Sequence, residues 1–304
     1  MRAIVCRRYG PPEDLELADL QEPQAGPGEV VVEVHAAAVN FPDVLYIANR
    51  YQVPIPLPFV PGGELSGVVV AIGHGVTSLR PGDKVFGATG TGAFAEQVAL
   101  PASRLEAMPG GVEFPEAAAF SVTYRTAYHA LRSVAGVGGG DWVVVLGAAG
   151  GVGLAAVDVA GALGAQVIAA ASGPAKLELA TERGAASGVD YTSEDLKERI
   201  RAITNGGAHA VIDPVGGPFA EQALRALRWG GTFVTIGFAS GVIPKIPLNL
   251  VLLKGVTIRG MDLRTFGEHH AQQESRDRAE LLDLLAGGRL RPYIGARFPL
   301  AAAA

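Results

Sequence analysis

Val143-Val144-Val145-Leu146-Gly147-Ala148-Ala149-Gly150-Gly151-Val152-Gly153 is the stretch that decides the fold. Four consecutive apolar residues read as a strand buried on both faces, and the glycine-rich turn leads straight into a helical stretch, Leu154–Leu163. Glycine lets a backbone approach a pyrophosphate without a Cβ clash, and a helix N-terminus offers free N–H donors and positive potential. Ala148 replaces the first glycine of the G-x-G-x-x-G pattern, whereas Gly150 and Gly153 hold the later positions. Taken alone, the motif reads equally as a tight strand–helix turn with no ligand.

Its surroundings favour a ligand. Short apolar runs at Trp142–Leu146, Gln166–Ala170, Ala210–Asp213, Thr232–Gly237 and Val256–Arg259 are expected strands. Helices are expected to start near Val152, Ala175, Leu196 and Phe219. Strands separated by helices of this length imply right-handed βαβ units and a doubly wound parallel sheet. The run from Glu268 to Ala286 is a later amphipathic helix. Upstream of about residue 120 the texture is β-rich: Val30–Val34 alternates, Val68–Ile72 is apolar, and Pro81-Gly82-Asp83 turns into Lys84-Val85-Phe86. Prolines 54, 56, 58 and 61 exclude regular helix there.

The dinucleotide is read about 20 residues past the turn, where an NAD-binding chain usually carries an acid. Here stands Ala170-Ala171-Ser172-Gly173-Pro174-Ala175-Lys176. No acid is present to bind a 2′-hydroxyl or repel a 2′-phosphate, Ser172 offers a hydroxyl, and Lys176 offers a cation. Tyr191, following a third strand, adds another hydroxyl. NADPH is therefore favoured over NADH, with a solvated helix residue as the other reading of Lys176. Gly237-Phe238-Ala239, where a later strand ends, is expected in the ligand crevice together with Ala149, Gly150, Gly151, Val152 and Gly153; Asn249 is a weaker candidate.

Composition sets the outer limits. With 304 residues, two domains are expected. A net charge of −5 and no basic block speak against a nucleic-acid partner. The single cysteine, Cys6, excludes an intramolecular disulfide and fits a reducing compartment. No apolar stretch is long enough to span a bilayer, and Met1–Val5 reads straight into a strand, so a soluble, cytoplasmic protein is expected.

Several collinear stretches carry a family resemblance: Gly28–Val32, Ala38-Val39-Asn40-Phe41-Pro42-Asp43, Pro61–Gly67, Pro81–Val85, Ala148–Gly153 and Asp213–Gly217. With them the chain resembles the medium-chain dehydrogenases/reductases, and within these the zinc-free, zeta-crystallin-like quinone oxidoreductases. The resemblance implies an α/β protein with a GroES-like β-rich catalytic domain over residues 1–122, completed by 265–304. A Rossmann NADPH-binding domain would span 123–264, with the active cleft between the two. It also implies a homodimer joined around Ile243–Ile258. Zinc alcohol dehydrogenases of the same fold need a cysteine where this chain has Asn40 and a histidine within the segment Gly62-Gly63-Glu64. The six histidines (35, 74, 129, 209, 269, 270) show no ligand spacing with a cysteine, which argues against metal.

Without zinc the acceptor must already be electrophilic, as quinones and α,β-unsaturated carbonyls are. The resemblance places Asn40, Tyr46 and Tyr51 near the nicotinamide, with Asn40 holding the ribose or the acceptor carbonyl. Thr126, in Thr123–Tyr128, approaches the nicotinamide in such proteins. Tyr51 resembles the proton-donating tyrosine of enoyl-thioester reductases, so thioester reduction is an alternative activity. A non-catalytic NADPH-binding role, as in some zeta-crystallin relatives, is another. Either tyrosine reads also as a loop cap, Thr126 as a helix-bonded buried hydroxyl, and Asp43 as ordering its own turn. Relatives usually continue past the position of Phe298–Ala304 with a helix and a strand, so cofactor contacts from such a segment are left unassigned.

Overall fold

The computed structural model describes residues 1–304, and the chain divides into two compact units. Residues 1–122 with 292–304 form the first, and 123–291 the second.

In the first unit the strands are β1 (Arg2–Val5), β2 (Glu16–Asp19), β3 (Glu29–Ala38), β4 (Glu64–Ile72), β5 (Lys84–Ala88), β6 (Gln97–Pro101) and β7 (Leu105–Ala107). Its helices are α1 (Phe41–Ile47) and α2 (Phe114–Ala118). Five strands make an antiparallel sheet in the order β6-β3-β4-β5-β7, while β1 and β2 pair separately. Alternation along β3 and β4 buries Val30, Val32, Leu65 and Val69 in one core with Val85 and Leu100. β3 runs four residues beyond the expected Val34, through bulges that keep it paired with β4 as far as Ala38 opposite Glu64. Alanines with small side chains carry the extra pairing, so the apolar alternation that marks its start fades before the strand does. The proline-rich segment from 54 to 61 contains no helix, as expected.

The second unit contains β8 (Trp142–Leu146), β9 (Gln166–Ala171), β10 (Ser187–Asp190), β11 (Ala208–Asp213), β12 (Leu227–Thr235) and β13 (Thr257–Gly260). Its helices are α3 (Thr123–Tyr128), continuing as a π-helical turn His129–Val134, then α4 (Gly151–Ala162), α5 (Pro174–Glu182), α6 (Leu196–Thr204), α7 (Phe219–Arg225), α8 (Leu248–Lys254), α9 (Leu263–His269) and α10 (Ala271–Ala286). All six strands are parallel, in the order β10-β9-β8-β11-β12-β13. Chain progression reverses at β8, with β9 on one side and β11 on the other, and that is where a doubly wound sheet opens its ligand crevice. Val144, Leu146, Ile168, Val211 and Phe233 are buried in its core, each contributing about 1.5–3 kcal/mol of burial.

Three further expectations are corrected. The return to the first unit falls at residue 292 instead of 265, because α10 packs on α3 and its π-helical extension. Buried His129 contacts Asp277 at 2.7 Å there, and Arg125 and Tyr128 bond Glu274 and Glu280. The helix expected over Glu268–Ala286 is two helices broken at His270, whose φ of −130° and ψ of 42° are not helical. The strand expected over Thr232–Gly237 runs instead from Leu227 to Thr235, since the N–H groups of Ile236 and Gly237 turn to the Asp213 carbonyl. β10 is absent from the apolar runs named above: only Val189 of its four residues is buried, so it carries no apolar signature.

Candidate active site

The glycine turn uses its glycines as close-approach positions. Gly147 has φ +61°, and a Cβ there would lie 2.6 Å from Val215 Cγ2. A Cβ on Gly153 would lie 2.2 Å from the Gly147 carbonyl oxygen and 2.8 Å from Ala148 Cα. Helix α4 can therefore pack on the end of β8 only with hydrogen at that position. Gly150 is the N-cap residue, and no side chain caps the helix. The N–H groups of Gly151, Val152 and Gly153 begin a helix of 12 residues whose positive end no side chain caps, an arrangement suited to an anion.

The adjacent strand end supplies the other half of this surface. Ser172 follows β9, Gly173 turns with φ +86°, and Lys176 on the first turn of α5 donates from Nζ to Ser172 Oγ at 2.8 Å. Tyr191, one residue past β10, donates its N–H to Ala171 O at 3.3 Å and stacks its ring on Phe219 at 4.1 Å. Ser172 and Lys176 thus meet at the end of β9, whereas Tyr191 touches that end through its backbone and turns its ring to Phe219. Gly237, Phe238 and Ala239 follow β12, with Ala239 N–H bonded to the Pro214 carbonyl at 3.1 Å, so this loop lies against the turn after β11. That turn is held by buried Asp213, whose Oδ1 accepts the N–H groups of Val215 and Gly216, both at 2.8 Å. Thr126 is buried on α3, which packs on α4. Asn249 stands exposed in the first turn of α8.

In the first unit, Asn40 is the N-cap residue of α1 and Tyr46 lies on the same helix. The rings of Tyr46 and Tyr51 meet with centroids 4.6 Å apart. Asp43, buried, accepts the Asn40 N–H on Oδ2 at 2.8 Å and so orders its own turn. Burial pushes its carboxyl up to about 6, against the N–H groups of Asn40, Gly62 and Gly63 that favour the charge. Asn40 Nδ2 donates to Glu64 Oε1 at 2.9 Å. Glu64 has no solvent exposure, and desolvation raises its carboxyl to about 8, despite hydrogen bonds from the Asn40 amide and the Val122 N–H and with Asp43 pushing the same way. Sequence reasoning passed over Glu64. Its one signal is an acid opening an otherwise apolar strand, Glu64-Leu65-Ser66-Gly67-Val68-Val69-Val70.

The donor set does not suit a catalytic zinc. Asn40 supplies an amide, Gly62 and Gly63 supply no side chain, the Glu64 carboxyl is engaged by Asn40 and Val122, and no group of three His, Cys, Asp or Glu residues converges anywhere in the chain. The glycine cradle and the Ser172–Lys176 pair do suit a phosphorylated dinucleotide.

A β-rich unit of this topology beside a six-stranded doubly wound sheet with a glycine-rich turn after β8 has the architecture of the medium-chain dehydrogenases/reductases. Residues 26–110 match the alcohol dehydrogenase GroES-like domain, and 151–286 match the zinc-binding dehydrogenase family. The chain is 40% identical to the quinone oxidoreductase-like protein 2 homolog of Nematostella vectensis, over 98% of this chain and 82% of that protein. It is 36% identical to the quinone oxidoreductase of Pseudomonas aeruginosa, over 100% of this chain and 94% of that one. Its structure matches the Escherichia coli quinone oxidoreductase complexed with NADPH with a TM-score of 0.90, at 28% identity over 100% of this chain and 94% of the other. The chain belongs to the quinone oxidoreductase-like family of the medium-chain dehydrogenases/reductases, and it is an oxidoreductase.

Proposed function

We propose that the protein reduces quinones or other α,β-unsaturated carbonyl compounds with NADPH, without zinc. The observation that carries this reading is the Ser172–Lys176 pair at the end of β9, a segment that itself carries no acid, with the Asp190 carboxylate of neighbouring β10 engaged by Thr192 and the Gly173 N–H. NADPH, when bound, supplies the hydride. Ala149, Gly150, Gly151, Val152 and Gly153 would hold its pyrophosphate, Ser172, Lys176 and Tyr191 its 2′-phosphate end, and Thr126 with Gly237, Phe238 and Ala239 its nicotinamide half. Asn40 holds the ribose or the acceptor carbonyl, and Tyr46 and Tyr51 shape the acceptor site. With no Lewis acid, acceleration comes from positioning and from hydrogen bonds to the oxygen that gains charge.

The test is isothermal titration with NADPH and NADH in the presence of EDTA, followed by turnover with a panel of quinones and enones. NADPH should bind at least about tenfold more tightly than NADH, through charge-assisted contacts to the extra phosphate. Acceptor-dependent NADPH oxidation should survive EDTA. Equal affinities, or no turnover with any acceptor, would sink the reading. Lys176→Glu should weaken NADPH binding by about 1–3 kcal/mol and leave NADH nearly untouched. An unchanged NADPH affinity would make Lys176 a solvated helix residue.

The assembly we propose is a homodimer through the β13 edge. β13 is paired on one side only, and Ile243, Leu248, Leu252 and Leu253 are all at least 70% exposed beside it in sequence. An exposed apolar group of this size, next to a bare strand edge, is a surface that needs a cover. Leu252→Asp should weaken self-association by about 2–3 kcal/mol in sedimentation equilibrium. A wild-type protein that sediments as a monomer at micromolar concentration would refute it. No helix of the chain is long and apolar enough to cross a membrane.

A further inference from the structure

A cavity of the second unit is lined by β13, α9 and the π-helical turn, and none of the residues assigned to the dinucleotide takes part in it. Its volume is about 220 Å³, far above the roughly 10–15 Å³ that a single water needs. Charge is unevenly spread over its wall. Arg259, His269 and His270 bring a guanidinium and two imidazoles, against one acid, Asp262. That acid is already engaged: Oδ1 accepts the Thr265 N–H at 2.9 Å and the Thr265 hydroxyl at 2.8 Å, which caps α9. Arg259 donates from Nη1 to the Val134 carbonyl at 2.9 Å, which holds the guanidinium against the π-helical turn. It forms no ion pair, whereas Arg264, a few residues on, pairs with Glu268 at 2.9 Å. Two irregular helix segments border the cavity, the π-helical turn ending at Val134 and the break at His270, and π-helical turns recur at functional sites. The Phe266 ring lies between two imidazoles, 4.4 Å from His129 and 5.1 Å from His270, so the His270 ring is supported from behind.

We propose that this cavity is a second binding site, one for a small oxyanion of the phosphate or carboxylate class, held by the Arg259 guanidinium and the ring N–H groups of His269 and His270. With Nη1 on the Val134 carbonyl, Nε and Nη2 remain, and these two form the edge of a guanidinium that meets two oxygens of one anion at once. Basic side chains gathered without a free acid are not the average surface of a chain whose net charge is −5. An oxyanion supplies the missing charge, and the imidazoles add donors that need no rearrangement of the backbone. The site requires neither a bound dinucleotide nor a second copy of the chain, so it stands or falls apart from the quinone reductase reading.

The experiment titrates the full chain, carrying isotope-labelled histidine, with inorganic phosphate and separately with citrate in a Tris chloride buffer. Ring signals are followed by NMR, and those lost in His269→Gln and His270→Gln identify the two rings. Both should move saturably with at least one of the anions. Arg259→Gln should weaken the apparent affinity at least about tenfold, because glutamine can still donate to the Val134 carbonyl but brings no charge and no fork. Lys176→Glu, at the dinucleotide surface, should leave these two signals moving as in the wild type. Saturation by phosphate alone or by citrate alone supports the site and names its class of ligand. Signals of His269 and His270 that stay still with both anions, or that move equally in Arg259→Gln, would overturn the inference. Should Arg259→Gln not fold, the double variant His269→Gln/His270→Gln decides, with phosphorus line broadening as the readout in a Lys176→Glu background. Broadening as strong as in Lys176→Glu alone overturns the site, and its loss supports it.

Discussion

Gly153→Ala costs the protein about 3 kcal/mol of stability and lowers NADPH affinity by roughly a hundredfold. The added methyl carbon would sit 2.2 Å from the Gly147 carbonyl oxygen and 2.8 Å from Ala148 Cα, both backbone atoms that no rotamer change can move aside. Relief requires α4 to slide away from the end of β8. That displaces the N–H groups of Gly151, Val152 and Gly153 from the positions a pyrophosphate would use. Gly161 on the same helix provides the contrast, because nothing lies within 4 Å of its absent Cβ. Gly161→Ala should stabilise the protein by about 0.5–1 kcal/mol, through the ordinary gain of alanine over glycine in a helix, and leave affinity unchanged. Thermal melts and NADPH titration of both variants check the pair. If Gly153→Ala bound NADPH like the wild type, the turn would be a packing device and the dinucleotide would lie elsewhere.

The second unit was legible in the sequence because its signals are local. Strands buried on both faces read as unbroken apolar runs, and β8 is bounded by Trp142 and Leu146 as its residues suggest. The starts of α4 to α7 were likewise marked by glycine, proline or polar residues just ahead of apolar stretches. Features set by tertiary contacts were less readable. β12 stops two residues early because Ile236 and Gly237 bond Asp213, a residue more than 20 positions away. The break at His270 falls three residues after Gly267, at a residue that is neither proline nor glycine, and the His270 ring lies 5.1 Å from that of Phe266. In the first unit the candidate residues Asn40, Tyr46 and Tyr51 rested on resemblance. The partner that fixes Asn40 depends on the register of β3 on β4, which bulges set and periodicity does not reveal.

Stability should fall by about 2 kcal/mol between pH 6.5 and pH 8, and Glu64→Gln should remove most of that fall. Glu64 ordinarily titrates at 4.5, and burial raises it to about 8 in the folded chain. Between those values the folded protein holds a proton that the unfolded chain has released, so raising the pH favours unfolding until the folded carboxyl also ionises. The favourable contribution is complete below about 4.5 and lost as pH climbs through about 8. Asp43 acts in the same direction but over a lower window, from 3.8 to about 6, so its slope is spent before the upper range begins. His129 acts oppositely. Desolvation lowers its titration below 6.5, so it destabilises the fold only as pH drops beneath that value. Buried Asp213, whose carboxyl desolvation also raises, is common to both proteins, so the difference between wild type and Glu64→Gln from pH 6.5 to pH 8 is what isolates Glu64. Both tryptophans, Trp142 and Trp229, belong to the second unit, so urea unfolding should be followed by far-ultraviolet circular dichroism, which also sees the β-rich unit. Wild-type and Glu64→Gln midpoints that decline in parallel over this interval would show that Glu64 is already ionised in the folded state. Its contact with Asn40 would then be a plain N–H to carboxylate bond at every working pH.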